Sequence, residues 1–122
     1  MSIKEDLAAI VGNDAVCDDP ETLLAYSRDQ SFAPPRMPDL VAWARTVEQV
    51  QQIVKYANKT RMPLVPFSSG LNFQGGAVPR EGGIVLNLSR MNNILAVDED
   101  NWSCVIEPGV TAAALQDELA RH

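Results

Sequence analysis

Residues 40–67 read LVAWARTVEQVQQIVKYANKTRMPLVPF and carry the pattern that decides the fold. Residues 40–44 and residues 63–67 are short apolar runs, and each predicts a buried strand. The residues between them have the pattern of a helix. A strand, a helix and a strand in this order are typical of a βαβ unit, so we expect two parallel strands joined by a right-handed crossover.

The residues between the two strands indicate both where the helix begins and which of its faces is buried. Thr46 can cap its first turn, with Gln49 three residues later as the capping-box partner. Apolar residues then recur at helical spacing and predict one buried stripe. The stripe consists of Val47, Val50, Val54 and Ala57.

The residues before this unit predict two short helices and an extended connection. Ser2 and Glu5 have the spacing of a capping box, and Gly12 can end that first helix. A second helix begins at Pro20, because proline is well tolerated at the first helical position. Three prolines within residues 34–38 exclude a helix there.

The residues after this unit predict short strands. The strand-like runs are residues 84–88, 94–97 and 102–107. The acidic turn at residues 98–101 suits an antiparallel hairpin, and Thr111 can cap a last helix. Trp43 and Trp102 lie in strand-like runs, so we expect both in the core or on a sheet face. The fold class is therefore α+β, with a parallel βαβ unit followed by short, mostly antiparallel strands.

The chain has 122 residues, of which 46% are hydrophobic, and its net charge is −6. This acidic balance argues against general binding to nucleic acid or a membrane surface. No membrane-span or signal-peptide pattern is seen, so we expect a cytoplasmic protein. The charge is uneven, because residues 31–97 hold seven basic and three acidic side chains. This basic middle either marks where an anion binds or consists of scattered surface charges.

A glycine-rich segment follows the second predicted strand. Residues 66–76 read PFSSGLNFQGG, and we call them the glycine loop. Such a loop can turn its backbone N–H groups inward around an anion, because glycine tolerates positive φ. Loops beyond the carboxyl ends of parallel strands are also where ligands usually bind. An anion-binding loop and a plain glycine-rich turn both fit these residues.

The sequence gives little support for the standard nucleotide-binding loops, a catalytic nucleophile or a metal site. The loop lacks the lysine of a P-loop, and its glycines are misspaced for a dinucleotide fingerprint. A serine nucleophile needs a general base, and the only histidine is the terminal His122. Cys17 and Cys104 are far apart, and no cluster of metal ligands is visible. We therefore predict neither a catalytic residue nor a metal site in this chain.

Several runs together resemble one family, the FAD-binding domain of the vanillyl-alcohol-oxidase and p-cresol-methylhydroxylase superfamily (PCMH-type). The runs are DLVAW at 39–43, TVEQV at 46–50, PFSSGLNFQGGAVP at 66–79, GGIVLNLSRMN at 82–92 and EPGV at 107–110. YSRD at residues 26–29 resembles the branch that contains D-lactate and glycolate dehydrogenases. The resemblance covers about residues 5–120.

The resemblance implies that FAD is the cofactor and that the glycine loop holds its pyrophosphate on backbone N–H groups. The cofactor-binding positions it implies are Pro66, Phe67, Ser68, Ser69, Gly70, Leu71, Asn72, Gly75 and Gly76. Ser68 and Ser69 replace two glycines of the family pattern, and serine still presents its N–H and adds a hydroxyl. Leu71 stands where some relatives link flavin covalently through a histidine, which implies non-covalent FAD here.

Enzymes of this family are several times longer than this chain. The resemblance therefore implies a helical lead-in at residues 1–38, and at residues 39–122 the first subdomain and the start of the second. A downstream domain or a second chain would complete the sheet and the substrate site. The implied function is the FAD-binding portion of an oxidoreductase that oxidises a 2-hydroxy acid by hydride transfer to flavin. The alternative is a non-catalytic stand-alone module that binds a partner chain or a phosphate-bearing ligand.

Overall fold

The structure is a computed structural model that describes residues 2–69 and 75–122. Its helices are α1 (Ile3–Val11), α2 (Pro20–Ala25), α3 (Val47–Thr60) and α4 (Ala112–Leu119). Its strands are β1 (Val16–Cys17), β2 (Leu40–Trp43), β3 (Leu64–Phe67), β4 (Ile84–Asn87), β5 (Ile94–Asp98) and β6 (Ser103–Ile106). Among the described residues, no helix is both long and apolar enough to cross a membrane.

The first sheet has the strand order β1-β2-β4-β3. β4 runs parallel to both of its neighbours, and Ile84 lies opposite Leu40 of β2 and Leu64 of β3. β1 pairs with β2 in the antiparallel direction. The α+β class and the parallel direction of β2 and β3 are confirmed. The two strands are not neighbours, however, because β4 inserts between them instead of belonging with the later antiparallel strands.

Gly83 makes this insertion possible. It has a φ of +83°, and a Cβ added there would lie 2.3 Å from the Pro63 carbonyl oxygen. Only a residue without a side chain can therefore enter β4 alongside β3. On the other side, the Gly83 N–H donates to Asp39 Oδ2 at 2.8 Å, and its carbonyl accepts from the Asp39 N–H at 2.8 Å. The entry to β4 is thus held between both neighbouring strands.

The cap of α3 is confirmed, but its predicted buried stripe is shifted. The Thr46 hydroxyl accepts from the Gln49 N–H at 3.2 Å, as a capping residue should. The buried face runs through Ile53, which is 0% exposed, and Ala57, whereas Val47 is 61% exposed. Successive helical residues are about 100° apart, so Val47 lies at the edge of the stripe and turns away from the sheet. Val54, also in the predicted stripe, is exposed for the same reason.

The N-terminal helix covers one side of the core. Leu7 is fully buried and belongs to the same apolar cluster as Ile53 and Ile84. The Tyr56 hydroxyl of α3 donates to Asp6 Oδ2 at 2.9 Å, which fastens α1 to α3. Partial burial beside this carboxylate raises the pKa of the Tyr56 hydroxyl. The N-terminal segment therefore contributes both a helix and a strand to the folded unit.

The predicted antiparallel hairpin is confirmed as β5 and β6. Its turn closes through Asn101, whose backbone N–H and side-chain amide both donate to the Asp98 carboxylate, at 3.1 and 2.7 Å. The prediction for Trp102 is wrong, because its side chain is 92% exposed. Trp102 has a φ of +54° and completes the turn, and β6 starts one residue later.

Gly109 joins the hairpin to the first sheet. A Cβ added at Gly109 would lie 2.6 to 2.7 Å from the carbonyl oxygens of Leu88, Ser89 and Met91. The Gly109 N–H also donates to the Met91 carbonyl at 2.7 Å. The segment after β6 therefore packs directly against the backbone that leaves β4, and this contact requires a glycine.

The Gly83 constraint can be tested with two alanine variants that share the backbone conformation but differ in available space. Gly82 also has a positive φ, +72°, but a Cβ there would come no closer than 3.3 Å to any atom, with Asp39 Oδ2 at that distance and Arg36 Nη2 at 3.9 Å. Gly82→Ala should cost about 1–2 kcal/mol of unfolding free energy for the left-handed backbone. Gly83→Ala should cost a further ~1–3 kcal/mol because the Cβ overlaps the Pro63 backbone.

The measurement is urea unfolding of the two variants beside the parent protein. Equal losses in Gly82→Ala and Gly83→Ala would contradict the close approach of β4 to Pro63.

Candidate functional site

The three parallel strands end at one edge of the sheet. Trp43 ends β2, Phe67 ends β3 and Asn87 ends β4, and the register places Asn87 opposite both of the other residues. We call these residues and the segments that follow them the carboxyl edge. Because parallel strands deliver their following loops to the same side, this edge is where such a sheet binds ligands.

Tyr26 packs across the carboxyl edge. Its ring, together with the rings of Trp43 and Phe67, forms a surface that we call the aromatic floor. Its ring packs edge-on against Phe67, at 4.7 Å between centroids, and against Trp43 at 6.1 Å. Its hydroxyl accepts a hydrogen bond of 2.8 Å from the Asn87 side-chain amide. Aromatic pairs in this geometry stabilise beyond the area they bury. Tyr26 directly follows α2, so the segment between β1 and β2 helps to build the carboxyl edge.

The described part of the glycine loop begins at this floor. Phe67 is half-buried, whereas Pro66, Ser68 and Ser69 are exposed. The Phe67 carbonyl accepts from the Leu88 N–H at 2.8 Å, which fastens the start of the loop to the segment after β4. The predicted positions Gly70, Leu71 and Asn72 lie outside the described residues.

The end of the glycine loop, at Gly75 and Gly76, is held by a different set of residues from its start. We call this end the returning limb. Gly75 is buried with a φ of +79°, and a Cβ there would lie 3.0 Å from both Ala33 Cβ and Arg80 Nη2. Gly76 is exposed, and the buried Ala77 follows it. The Arg80 guanidinium therefore lies beside the predicted anion-binding glycines.

Asp29 holds the returning limb. It is only 7% exposed, and it accepts from the Ser31 N–H at 2.8 Å and the Ala77 N–H at 3.4 Å. Hydrogen bonds from Ser31, and from the backbone N–H groups of Ala77 and Gly75, lower the pKa of the Asp29 carboxyl. Sequence reasoning assigned this residue no role. The sequence signal that could have identified Asp29 is an aspartate two residues before a serine, which is the spacing of an Asx turn.

Arg90 adds a second positive charge to the carboxyl edge. Its Cζ atom lies 5.3 Å from the centroid of the Trp43 ring, within cation–π range. Its Nη1 atom is buried and has no hydrogen-bond partner among residues 2–69 and 75–122. A buried guanidinium nitrogen without an acceptor is costly, so it fits a site that receives an anion.

The carboxyl edge therefore combines an aromatic floor, the start of the glycine loop and the Arg90 guanidinium, and the end of the same loop lies beside the Arg80 guanidinium. These features suit a ligand that carries both a negatively charged group and an aromatic ring system. The donors fit a diphosphate in particular, because backbone N–H groups and guanidinium groups are its usual partners.

Comparison with known proteins identifies the class. Residues 38–122 match the family model for the FAD binding domain, and the chain belongs to this family. The match confirms the resemblance that the sequence motifs indicated. The chain is an FAD-binding domain of the kind found in flavin-dependent oxidoreductases.

Individual relatives place the chain among PCMH-type flavoproteins. It is 37% identical to the glycolate oxidase subunit GlcD of Bacillus subtilis, over 88% of this chain and 23% of GlcD. It is 34% identical to D-2-hydroxyglutarate dehydrogenase of Stutzerimonas stutzeri, over 92% of this chain and 24% of that enzyme. The crystal structure of p-cresol methylhydroxylase with bound substrate matches 97% of this chain and 24% of its own, with a TM-score of 0.85 and 31% identity. The chain thus spans about a quarter of the length of these relatives.

The role of Asp29 predicts a pH-dependent loss of stability. Because its pKa is lowered in the folded protein, Asp29 stabilises the fold above its unfolded pKa of about 4, and this contribution is lost as the pH falls through the folded value. Asp29→Asn should unfold at lower urea than the parent protein at pH 7, since an amide cannot accept all of these N–H groups. The difference should narrow below about pH 4.

Asp100→Asn serves as the control, because it removes the same charge from the exposed hairpin turn. A constant difference between Asp29→Asn and the parent protein from pH 7 to pH 3 would contradict an ionised Asp29 as the anchor.

Proposed function

We propose that this domain is the FAD-binding portion of an oxidoreductase that oxidises a 2-hydroxy acid. The observation that carries the proposal is the start of the glycine loop at the carboxyl edge, directly after β3, in a chain that matches the FAD binding domain family. The substrate class follows from similarity to enzymes named for glycolate and D-2-hydroxyglutarate. When bound, FAD supplies an acceptor for the hydride from C2 of such a substrate, while the hydroxyl loses a proton.

Within this proposal the chain's own residues bind and orient the cofactor. The backbone N–H groups of the glycine loop would bind the pyrophosphate. The loop positions we propose are Pro66, Phe67, Ser68, Ser69, Gly70, Leu71, Asn72, Gly75 and Gly76. Asp29 and the Phe67–Leu88 hydrogen bond would fix the loop's two ends, and Tyr26 would keep the floor rigid. No residue of this chain is proposed to act as a catalytic acid or base.

The exposed hairpin supports a larger assembly. Leu95, Trp102 and Val105 are all more than half exposed on or beside the two-stranded sheet. Apolar side chains grouped in this way favour contact with further polypeptide. We infer that the substrate-binding part of the flavoenzyme packs here, consistent with relatives about four times as long. The division at residue 38 and a cytoplasmic location stay predictions.

The alternative, a stand-alone module, would use the same exposed face to bind a partner chain. The two hypotheses differ in flavin content. A yellow protein with stoichiometric FAD supports the flavoenzyme. A defined oligomer that takes up no added FAD supports the stand-alone module and contradicts the proposal.

The role of the loop backbone can be tested with two variants at Ser68. Ser68→Pro removes one backbone N–H, and it suits the extended backbone of Phe67 before it. If that N–H binds the pyrophosphate, FAD affinity should fall about tenfold or more, since a hydrogen bond to a charged group is worth about 1.5–3 kcal/mol. Ser68→Ala keeps the N–H and should change FAD affinity much less.

The measurement is FAD titration of the apoprotein, with urea unfolding to verify that both variants fold. Equal FAD affinities of Ser68→Pro and the parent protein would contradict the assignment of this N–H group.

The replacement of the linking histidine by Leu71 predicts non-covalent FAD. Denaturing the purified yellow protein with acid and removing the precipitate should leave the flavin in the supernatant. Flavin that stays with the precipitated polypeptide would mean a covalent attachment at another residue.

A further inference from the structure

The Arg90 guanidinium is a charged group without a partner in the described structure. Its Cζ atom lies 5.3 Å from the Trp43 ring centroid, so the ring holds the group in place. Its Nη1 atom is buried, yet no described residue accepts a hydrogen bond from it. The Trp43 face attracts the cation but supplies no acceptor oxygen for this nitrogen.

No acidic side chain in the described part of the chain forms an ion pair with Arg90. The ion pairs within residues 2–69 and 75–122 are Lys4–Asp18, Arg121–Glu118 and His122–Glu99. Residues 70–74 read GLNFQ and contain no acid. A neutral loop amide could accept one hydrogen bond, but it could not neutralise the guanidinium. Arg90 as a whole is half-buried, but its buried Nη1 atom lacks an acceptor, which is unfavourable, so an anion from outside the chain is the expected partner.

The fold fixes where that anion would lie. Arg90 follows β4 by three residues, and the hydrogen bond between the Leu88 N–H and the Phe67 carbonyl places this segment beside the start of the glycine loop. Gly109 packs against the backbone of the same segment and so helps to fix its position. The Arg90 side chain therefore lies at the same edge as the described start of the glycine loop.

We propose that Arg90 donates a charge-assisted hydrogen bond to the diphosphate of FAD and adds its positive charge to that of Arg80 beside the glycine loop. This proposal rests on the proposed function. A guanidinium suits the role because its planar donors match phosphate oxygens and it is charged at every physiological pH. The Trp43 ring keeps the donor in place before the cofactor arrives.

The test compares Arg90→Gln and Arg90→Lys with the parent protein and with Lys55→Gln. Lys55 lies on the exposed face of α3, so this control removes the same charge from the basic middle of the chain. FAD binding to the full-length apoprotein should weaken about ten- to a hundredfold in Arg90→Gln. Arg90→Lys should recover part of that loss, and Lys55→Gln should bind FAD as the parent protein does.

A second readout separates cofactor binding from a structural role. Without FAD, Arg90→Gln should be at least as resistant to urea as the parent protein, because it removes a guanidinium whose buried Nη1 atom has no hydrogen-bond acceptor. With saturating FAD, its stabilisation should be smaller than that of the parent protein. An Arg90→Gln apoprotein that is clearly less stable, with unchanged FAD affinity, would overturn the proposal and assign Arg90 to packing on Trp43.

Competition by ADP identifies the part of the cofactor that Arg90 contacts. ADP carries the diphosphate without the flavin ring, so Arg90→Gln should weaken ADP and FAD in similar proportion. A loss for FAD alone would overturn the diphosphate assignment. If the parent protein binds no FAD, the proposed function fails. If the parent protein binds FAD and Arg90→Gln binds it equally well, only the role of Arg90 fails.

Discussion

The close approach of Gly83 to Pro63 is the constraint on which the rest of the structure depends. It allows β4 to enter between β2 and β3, and it sets Ile84 opposite residues of both neighbours. Three parallel strands then end side by side. Without that insertion, Trp43 and Phe67 would not flank a common neighbour, and Tyr26 would have no shared floor to cover. The carboxyl edge is therefore a consequence of backbone packing at the opposite end of the same strands.

The glycine loop depends on contacts outside itself. Its start is fastened to the segment after β4, and its return is fastened by Asp29, which lies in the segment between β1 and β2. A loop with many glycines loses much conformational entropy when it is ordered. Anchoring both ends in the folded protein lowers the remaining entropy that a ligand must offset, which is the usual benefit of preorganisation.

Sequence reasoning succeeded where short-range patterns govern structure. The Thr46 cap, the 98–101 turn and the βαβ periodicity depend on residues a few positions apart, and all three are present. It missed the place of β4 because strand order is set by long-range packing. The α3 stripe was misplaced because valines on adjacent faces leave its phase ambiguous. Trp102 was misplaced because one residue decides between a turn and a strand. Asp29 has a local Asx-turn pattern with Ser31, but that pattern does not predict its contact with Ala77, and no local motif predicts the contact of Arg90 with Trp43.

The packing around the site explains the Glu-Pro-Gly motif that follows β6 at residues 107–109. Gly109 lies against the carbonyl groups of Leu88, Ser89 and Met91, the residues that surround Arg90 in the chain. A larger residue at position 109 would push this backbone away and would move the guanidinium relative to Trp43. The segment after the hairpin therefore positions the carboxyl edge through the main-chain contact of Gly109, and not through the side chains of the hairpin. A basic group in an acidic protein of net charge −6 is in this way held at the edge where the cofactor's negative charge is expected.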